Sequence, residues 1–107
     1  MKYKVRTIRG KHPAVEVQFE DAQYALAGEM LLAERAFLGE MLKTIDSVLE
    51  HEAPGAESFS GNAFNMFVTA ETTKITNEIN GEETEAPTGD LKKLIKVYQK
   101  QYGKLQR

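Results

Sequence analysis

The stretch that decides the fold of this 107-residue chain is residues 62–98, NAFNMFVTAETTKITNEINGEETEAPTGDLKKLIKVY. Its first part is rich in Phe, Val, Ile and Thr, which are enriched in β-strands. It predicts strands over residues 63–70 and 73–79 that pair through a tight turn near Glu71. The dipeptide Asn80-Gly81 then predicts a type I′ hairpin turn, because both central residues of that turn need positive φ.

The second part of the stretch predicts an edge strand followed by a helix. Residues 82–86 should return from the turn as a short acidic strand, whose charge resists edge-to-edge aggregation. Pro87 and Gly89 end this strand, and Thr88 or Asp90 is the expected N-cap of the helix. The apolar side of this C-terminal amphipathic helix carries Leu91, Leu94, Ile95, Tyr98, Tyr102 and Leu105, and the outer side carries Lys92, Lys93, Lys96, Lys100 and Lys104.

The N-terminal 20 residues predict a β-hairpin. Tyr3, Val5 and Thr7 alternate with basic residues, and residues 15–20 show the same two-residue period with two glutamates and a glutamine. A turn over residues 9–13 would place Arg6 opposite Glu16, Lys2 opposite Glu20 and Val5 opposite Val17. The basic N-terminus is therefore predicted to be a charge-paired strand rather than a free nucleic-acid-binding arm.

Residues 21–52 have the pattern of one long amphipathic helix. Apolar residues recur at three- and four-residue steps, and the opposite side carries Glu29, Glu34, Arg35, Glu40, Lys43 and Asp46. Glycine inside a helix costs about 1 kcal/mol relative to alanine, so the firm part of the helix is expected after Gly28, with Gly39 as a point of close packing. Residues 22–27 are expected to be either a first turn or a further extended segment. Residues 52–61, which include Pro54 and Gly55, are expected to form a loop.

Length and composition are those of a single α+β domain over residues 1–107. We expect a mainly antiparallel sheet of about five strands, one long helix and the C-terminal amphipathic helix. The chain has no cysteine, which excludes disulfides and thiolate metal sites. No signal peptide and no apolar run of membrane-spanning length is present, so the expected location is the cytoplasm, without membrane contact.

No motif for catalysis, a cofactor or a metal is found in the sequence. His12 and His51 lie in separate segments without a third ligand, and His51 near a helix C-terminus is explained as a favourable cation position. Ser58 and Ser60 have no histidine tied to them by a motif. Paired glutamates such as Glu82 and Glu83 are expected on a solvated edge rather than in the kind of pocket that catalytic carboxylates occupy. The prediction is a protein that is not an enzyme and holds no cofactor.

Charge is strongly segregated along the chain although the net charge is only −2. Residues 77–90 hold five acids and no base, namely Glu78, Glu82, Glu83, Glu85 and Asp90, and residues 91–107 hold six bases and no acid. The acidic segment is either a solubilising edge or a docking surface for a basic protein. The lysine helix is either a solvated face or a nucleic-acid face, and the pI near 5.7 argues against nucleic acid.

Phe67 is a further candidate contact residue. In residues 63–70 it points away from the apolar face formed by Phe64, Met66 and Val68. The strand is therefore either covered on both sides or exposes an aromatic patch, and an exposed patch would favour modest homodimerisation.

Three segments carry a resemblance to a known family: SFSGNAFNMFV at 58–68, KITN at 74–77 and GDLKKLIKVY at 89–98. They resemble the C-terminal half of the bacterial YacL-type family, whose large acidic insertion is nearly absent here and replaced by Asn80-Gly81. The order of elements also resembles that of small bacterial immunity proteins, which neutralise a toxin by direct binding. The resemblance implies a protein-binding role. We expect an immunity or antitoxin-like inhibitor; the alternatives are a homodimeric structural or regulatory protein, a nucleic-acid-associated protein that uses the lysine helix, and a small hydrolase.

Overall fold

The computed structural model describes residues 1–50 and 55–106. These residues form six strands and three helices: β1 (Tyr3–Ile8), β2 (Ala14–Phe19), α1 (Ala25–Ala33), α2 (Leu38–Leu49), β3 (Glu57–Ser60), β4 (Phe64–Val68), β5 (Thr72–Asn77), β6 (Glu83–Pro87) and α3 (Thr88–Leu105). The predicted α+β class is confirmed. The strand arrangement differs from the prediction, since a two-stranded sheet β1-β2 and a four-stranded sheet β3-β4-β5-β6 replace one sheet of about five strands.

The N-terminal hairpin has the predicted register. Val5 lies opposite Val17 and Arg6 opposite Glu16, while the Glu20 amide donates to the Lys2 carbonyl. The Arg6 guanidinium lies 3.9 Å from the Glu16 carboxylate. The alternation of polar and apolar residues is matched on both faces in only this register, and a slip of one residue would reverse every side chain.

The four-stranded sheet contains the two predicted central strands and one strand that was not predicted. β4 and β5 pair in antiparallel register, joined by a tight turn in which the Thr69 amide donates to the Thr72 carbonyl. The expected loop over residues 52–61 is wrong in its second half, because β3 pairs with β4. The expected position of His51, like Pro54, lies outside the described residues.

The turn between β5 and β6 is not of type I′. Only Gly81 has positive φ, at 78°, and Asn80 does not. The Asn77 amide donates to the Glu82 carbonyl, and the Gly81 amide donates to the Asn77 carbonyl. Residues 78–81 therefore form a four-residue loop. β5 ends at Asn77, two residues before the predicted end of this strand.

The predicted single long helix is two helices. The Glu34 amide makes the last helical bond of α1, to the Met30 carbonyl, and a single 3₁₀ turn at Arg35–Phe37 precedes α2. Close packing occurs at Gly28, where a Cβ would lie 3.3 Å from Phe19, and not at Gly39, where a Cβ would meet nothing within 4 Å. The small residue lets α1 lie against β2.

The C-terminal helix also begins differently from the prediction. Pro87 occupies the N-cap position without a side-chain bond, and Thr88 is the first helical residue. The Thr88 hydroxyl lies 2.8 Å from the Thr73 hydroxyl and donates to the Thr69 carbonyl. Thr88 thus fixes the start of α3 to the β4–β5 turn instead of capping the helix.

The core lies between the two sheets. α1 contacts β2 on one side and β5 on the other, α3 contacts strands of both sheets, and α2 packs on β3, β4 and α3. Tyr98 of α3 is fully buried, and its hydroxyl donates to the Val15 carbonyl at 2.9 Å. Burial raises the pKa of Tyr98 to about 12. Over the described residues, no helix is long and apolar enough to cross a membrane.

Candidate protein-binding surface

The four-stranded sheet has one face against the helices and one face toward solvent. We call the solvent side the outward face; on it lie the side chains that alternate with the buried ones along each strand. The side chains on this side are exposed or partly buried. The outward side chains are Ser58, Ser60, Asn65, Phe67, Thr72, Lys74, Thr76, Glu83 and Glu85.

Phe67 is the large apolar residue of the outward face. It lies opposite Ser58 on β3 and Lys74 on β5, and Lys74 lies opposite Glu85 on β6. Half of the Phe67 side chain is exposed, at 50%. Of the two alternatives for this residue, the structure therefore has the exposed aromatic side chain, bordered by small and polar neighbours.

The acidic strand β6 lies beside a base from the neighbouring strand, Lys74 of β5. The Lys74 Nζ lies 3.2 Å from a Glu83 carboxylate oxygen, and both side chains are about half exposed. Glu85 is on the same face as Glu83, two residues further along β6. Residues 77–90 contain no base, but Lys74 of β5 partly neutralises their negative charge. An excess of negative charge remains along the β6 edge.

The other candidate acids occupy two different places. Glu78 and Glu82 lie at the ends of the β5–β6 loop, where the Asn65 side-chain amide donates to the Glu78 carboxylate. Asp90 lies in the first turn of α3, and its carboxylate is 3.9 Å from the Met1 amino group. The structure thus places Glu83 and Glu85 on the outward face, Glu78 beside Asn65 of that face and Glu82 directly before β6, and it leaves Asp90 apart on α3.

Glu34 is a structurally important residue, and its predicted place on the polar side of a helix is wrong. Its side chain is fully buried. Its carboxylate accepts the amides of Asn62, Ala63 and Phe64 at 2.8, 2.9 and 2.9 Å. Glu34 therefore fixes the turn between β3 and β4, and so positions two of the strands that form the outward face.

The turn held by Glu34 requires glycine at position 61. A Cβ on Gly61 would lie 2.7 Å from Glu34 Oε1 and closer still to Oε2. Gly61 does not have positive φ, so the requirement is for space rather than for backbone conformation. The sequence signal for this contact was the pair Gly61-Asn62 between two β-rich segments, which marks a tight turn but does not identify the distant carboxylate.

The lysines of α3 are not equivalent. The Lys92 Nζ lies 2.7 Å from the Asp46 Oδ1, and this hydrogen bond raises the pKa of Lys92 against the opposing effect of burial. Four others, Lys93, Lys96, Lys100 and Lys104, are exposed. Tyr98 is buried in the core instead of standing beside them, and the tyrosine stacking surface that a basic nucleic-acid face would use is absent at that position.

No group of three or more potential metal ligands is found in the described parts of the chain. The two carboxylates of the outward face, those of Glu83 and Glu85, are exposed. Comparison with protein-family models, with curated proteins and with solved structures finds no match to this chain.

Proposed function

We propose that this protein is a non-enzymatic protein-binding module, and that it is an immunity or antitoxin-like inhibitor that neutralises a toxin by direct binding. The observation that supports the proposal is the outward face, where half-exposed Phe67 shares a cross-strand row with Glu85 and lies one row from Glu83. An apolar anchor with a charged rim is the usual anatomy of a protein interface.

The acidic rim, which consists of Glu82, Glu83 and Glu85, indicates what kind of partner to expect. A toxin that acts on nucleic acid must carry positive charge around its active site, because it has to bind phosphates. Glu82, Glu83 and Glu85 would steer such a surface toward the β6 edge and speed association. Phe67 would then be covered by the partner, and burial of an aromatic side chain near the centre of an interface is a common source of binding energy.

Charge reversal of the rim tests this proposal. The variant carries Glu82→Lys, Glu83→Lys and Glu85→Lys, all at exposed positions. It should lose at most about 1 kcal/mol of unfolding free energy, because the exposed Lys74–Glu83 pair contributes no more than that. Capture of the partner from the native host should fall because association is slower, and added salt should slow association of the wild type in the same way.

A second triple variant serves as the matched control. Glu20→Lys, Glu29→Lys and Glu40→Lys change the net charge by the same amount at exposed positions away from the outward face. This control should recover the partner as well as the wild type does. Equal recovery of one partner by the wild type and both triple variants would show that the rim only solubilises the sheet edge. Equal loss in both variants would show that net charge, and not the outward face, governs binding.

A further inference from the structure

The two edges of the four-stranded sheet are protected very differently. The β6 edge carries Glu83, Glu85 and Pro87, and the Thr84 hydroxyl on this strand donates to the Gln23 carbonyl at 2.7 Å. Charges, proline and covering segments are the usual devices that stop a sheet edge from pairing with another strand. The β3 edge has the sequence ESFS, with a single charge at its first residue. It contains no proline and no lysine, and within residues 1–50 and 55–106 no side-chain hydrogen bond from another element covers it.

The hydrogen-bond pattern leaves the backbone of two β3 residues without a ladder partner. The Gly61 amide donates to the Phe64 carbonyl at 2.9 Å, which sets the phase of the β3–β4 ladder. In an antiparallel ladder, alternate residues direct their N–H and C=O groups to opposite sides. Phe59 is thus turned toward Met66 of β4, and Ser58 and Ser60 are turned away. Over residues 1–50 and 55–106, no hydrogen bond between elements reaches these two backbones.

We propose that β3 is a dimerisation edge, at which the β3 strands of two copies of this chain pair antiparallel about a two-fold axis at Phe59. In this register Ser58 lies opposite Ser60 of the partner subunit. Each of these pairs exchanges two N–H···O bonds, so that the symmetric contact makes four. The hydrogen-bonding groups that the β3–β4 ladder leaves free are the ones that this register uses.

The side chains are compatible with the same register. On the outward side small serines face each other, and on the inner side Phe59 meets Phe59 of the partner subunit beside Phe37, whose ring centre is 6.4 Å from that of Phe59. Glu57 lies opposite Gly61 of the partner subunit, so the two carboxylates do not face each other. A second copy is the occupant that this pattern favours, because residues 58–60 carry no charge that would select a different strand.

Dimerisation at this edge would extend the outward face. The two-fold axis of an antiparallel strand pair is perpendicular to the sheet, so both outward faces lie on the same side of one eight-stranded sheet. The two β4 strands, each bearing Phe67, would be three strand spacings apart, or about 14 Å. The dimer does not depend on the proposed inhibitor role, but it would present that surface twice to a basic partner.

Sedimentation equilibrium of the purified protein tests the dimer. A four-residue edge is a small contact, so a weak dimer should form between about 10 µM and 1 mM protein. Ser58→Pro removes an N–H that β4 does not use and blocks the partner strand, and it should raise the dimer dissociation constant at least about tenfold with the fold unchanged. Ser58→Ala keeps the N–H and should dimerise like the wild type.

Amide exchange of the wild-type protein provides a readout without mutation. The amides of Ser58 and Ser60 should become more protected as protein concentration rises, while that of Phe59, which is bonded to β4, should not change. Ser60→Pro gives a second test if Ser58→Pro fails to fold. A monomer up to about 1 mM would overturn the proposal. So would a dimer that both proline variants retain and Phe67→Asp abolishes, because that dimer would form through the outward face.

Discussion

Glu34 and Gly61 offer the sharpest test of how this sequence holds its fold. Replacing Glu34 by alanine removes three charge-assisted hydrogen bonds. The buried Phe64 amide would then lack a partner, which costs roughly 1 to 3 kcal/mol, whereas the part-buried Asn62 and Ala63 amides regain some bonding from water. We expect a loss of about 3 kcal/mol in unfolding free energy. For a domain of this size such a loss lowers Tm by about 12 to 24 °C.

Glu34→Gln is the conservative comparison. The side chain keeps its shape, and its one carbonyl oxygen can still accept the Ala63 and Phe64 amides that Oε2 now accepts. Its NH₂ group would then face the Asn62 amide, donor against donor. The loss should be about 1 to 2 kcal/mol, smaller than that of the alanine variant.

The double-mutant cycle with Gly61→Ala decides whether the carboxylate is the reason for the glycine. Alone, Gly61→Ala forces a methyl group against the Glu34 carboxylate and should cost about 2 kcal/mol, as overpacking usually does. In the Glu34→Ala background the obstacle is gone, so the double variant should be less destabilised than the sum of the single variants by about 2 kcal/mol. Urea unfolding of the four proteins measures this coupling. Additivity within about 0.5 kcal/mol would refute the reasoning.

Two further predictions concern Tyr98 and the helical glycines. Tyr98 has its pKa raised from 10.0 to about 12, so between these pH values the unfolded chain ionises while the native one does not. The unfolding free energy of the wild type should therefore fall relative to that of Tyr98→Phe from pH 10 to pH 12. Below pH 10 the variant should be less stable by a constant of about 1 kcal/mol, because it lacks the hydrogen bond to Val15. Urea unfolding at a series of pH values measures this difference, and a difference that stays flat across the alkaline range would contradict the prediction. Gly39→Ala should stabilise by about 0.5 kcal/mol and Gly28→Ala should not, because only the second methyl group meets a neighbour. Thermal melts of the two variants check this, and equal gains would show that packing at Phe19 does not matter.

The hairpin and the central strands were predictable because local signals agreed with tertiary ones. In β1 and β2 the apolar alternation and the charge pairs Arg6–Glu16 and Lys2–Glu20 select one register, which is the observed one. β4 and β5 are rich in β-branched and aromatic residues and each buries one face. In these strands, apolar alternation, charge pairing and strand-forming composition all predict the same structure.

The break between α1 and α2 could not be read from periodicity. One 3₁₀ turn at Arg35–Phe37 separates α1 from α2 but leaves apolar residues at three- and four-residue steps across it. A glutamate in a helical segment is typical of a solvated position, and nothing near Glu34 in sequence indicates the amides of residues 62–64 that bind it. Long-range satisfaction of a buried charge becomes visible only when both segments are in place.

The two edge strands show why one part of the candidate surface was predicted and another was missed. β6 was recognised because its glutamates and the following proline are typical of an edge that must not pair, and these residues now border the outward face. β3 has only Phe59 buried, between two serines, and four residues give too short an alternation to predict a strand. β3 is short and carries a single charge, so it gives little sequence signal. The same properties leave its edge without the charges that usually prevent strand pairing. The strand that was hardest to predict is thus the one at which we propose a second surface for interaction.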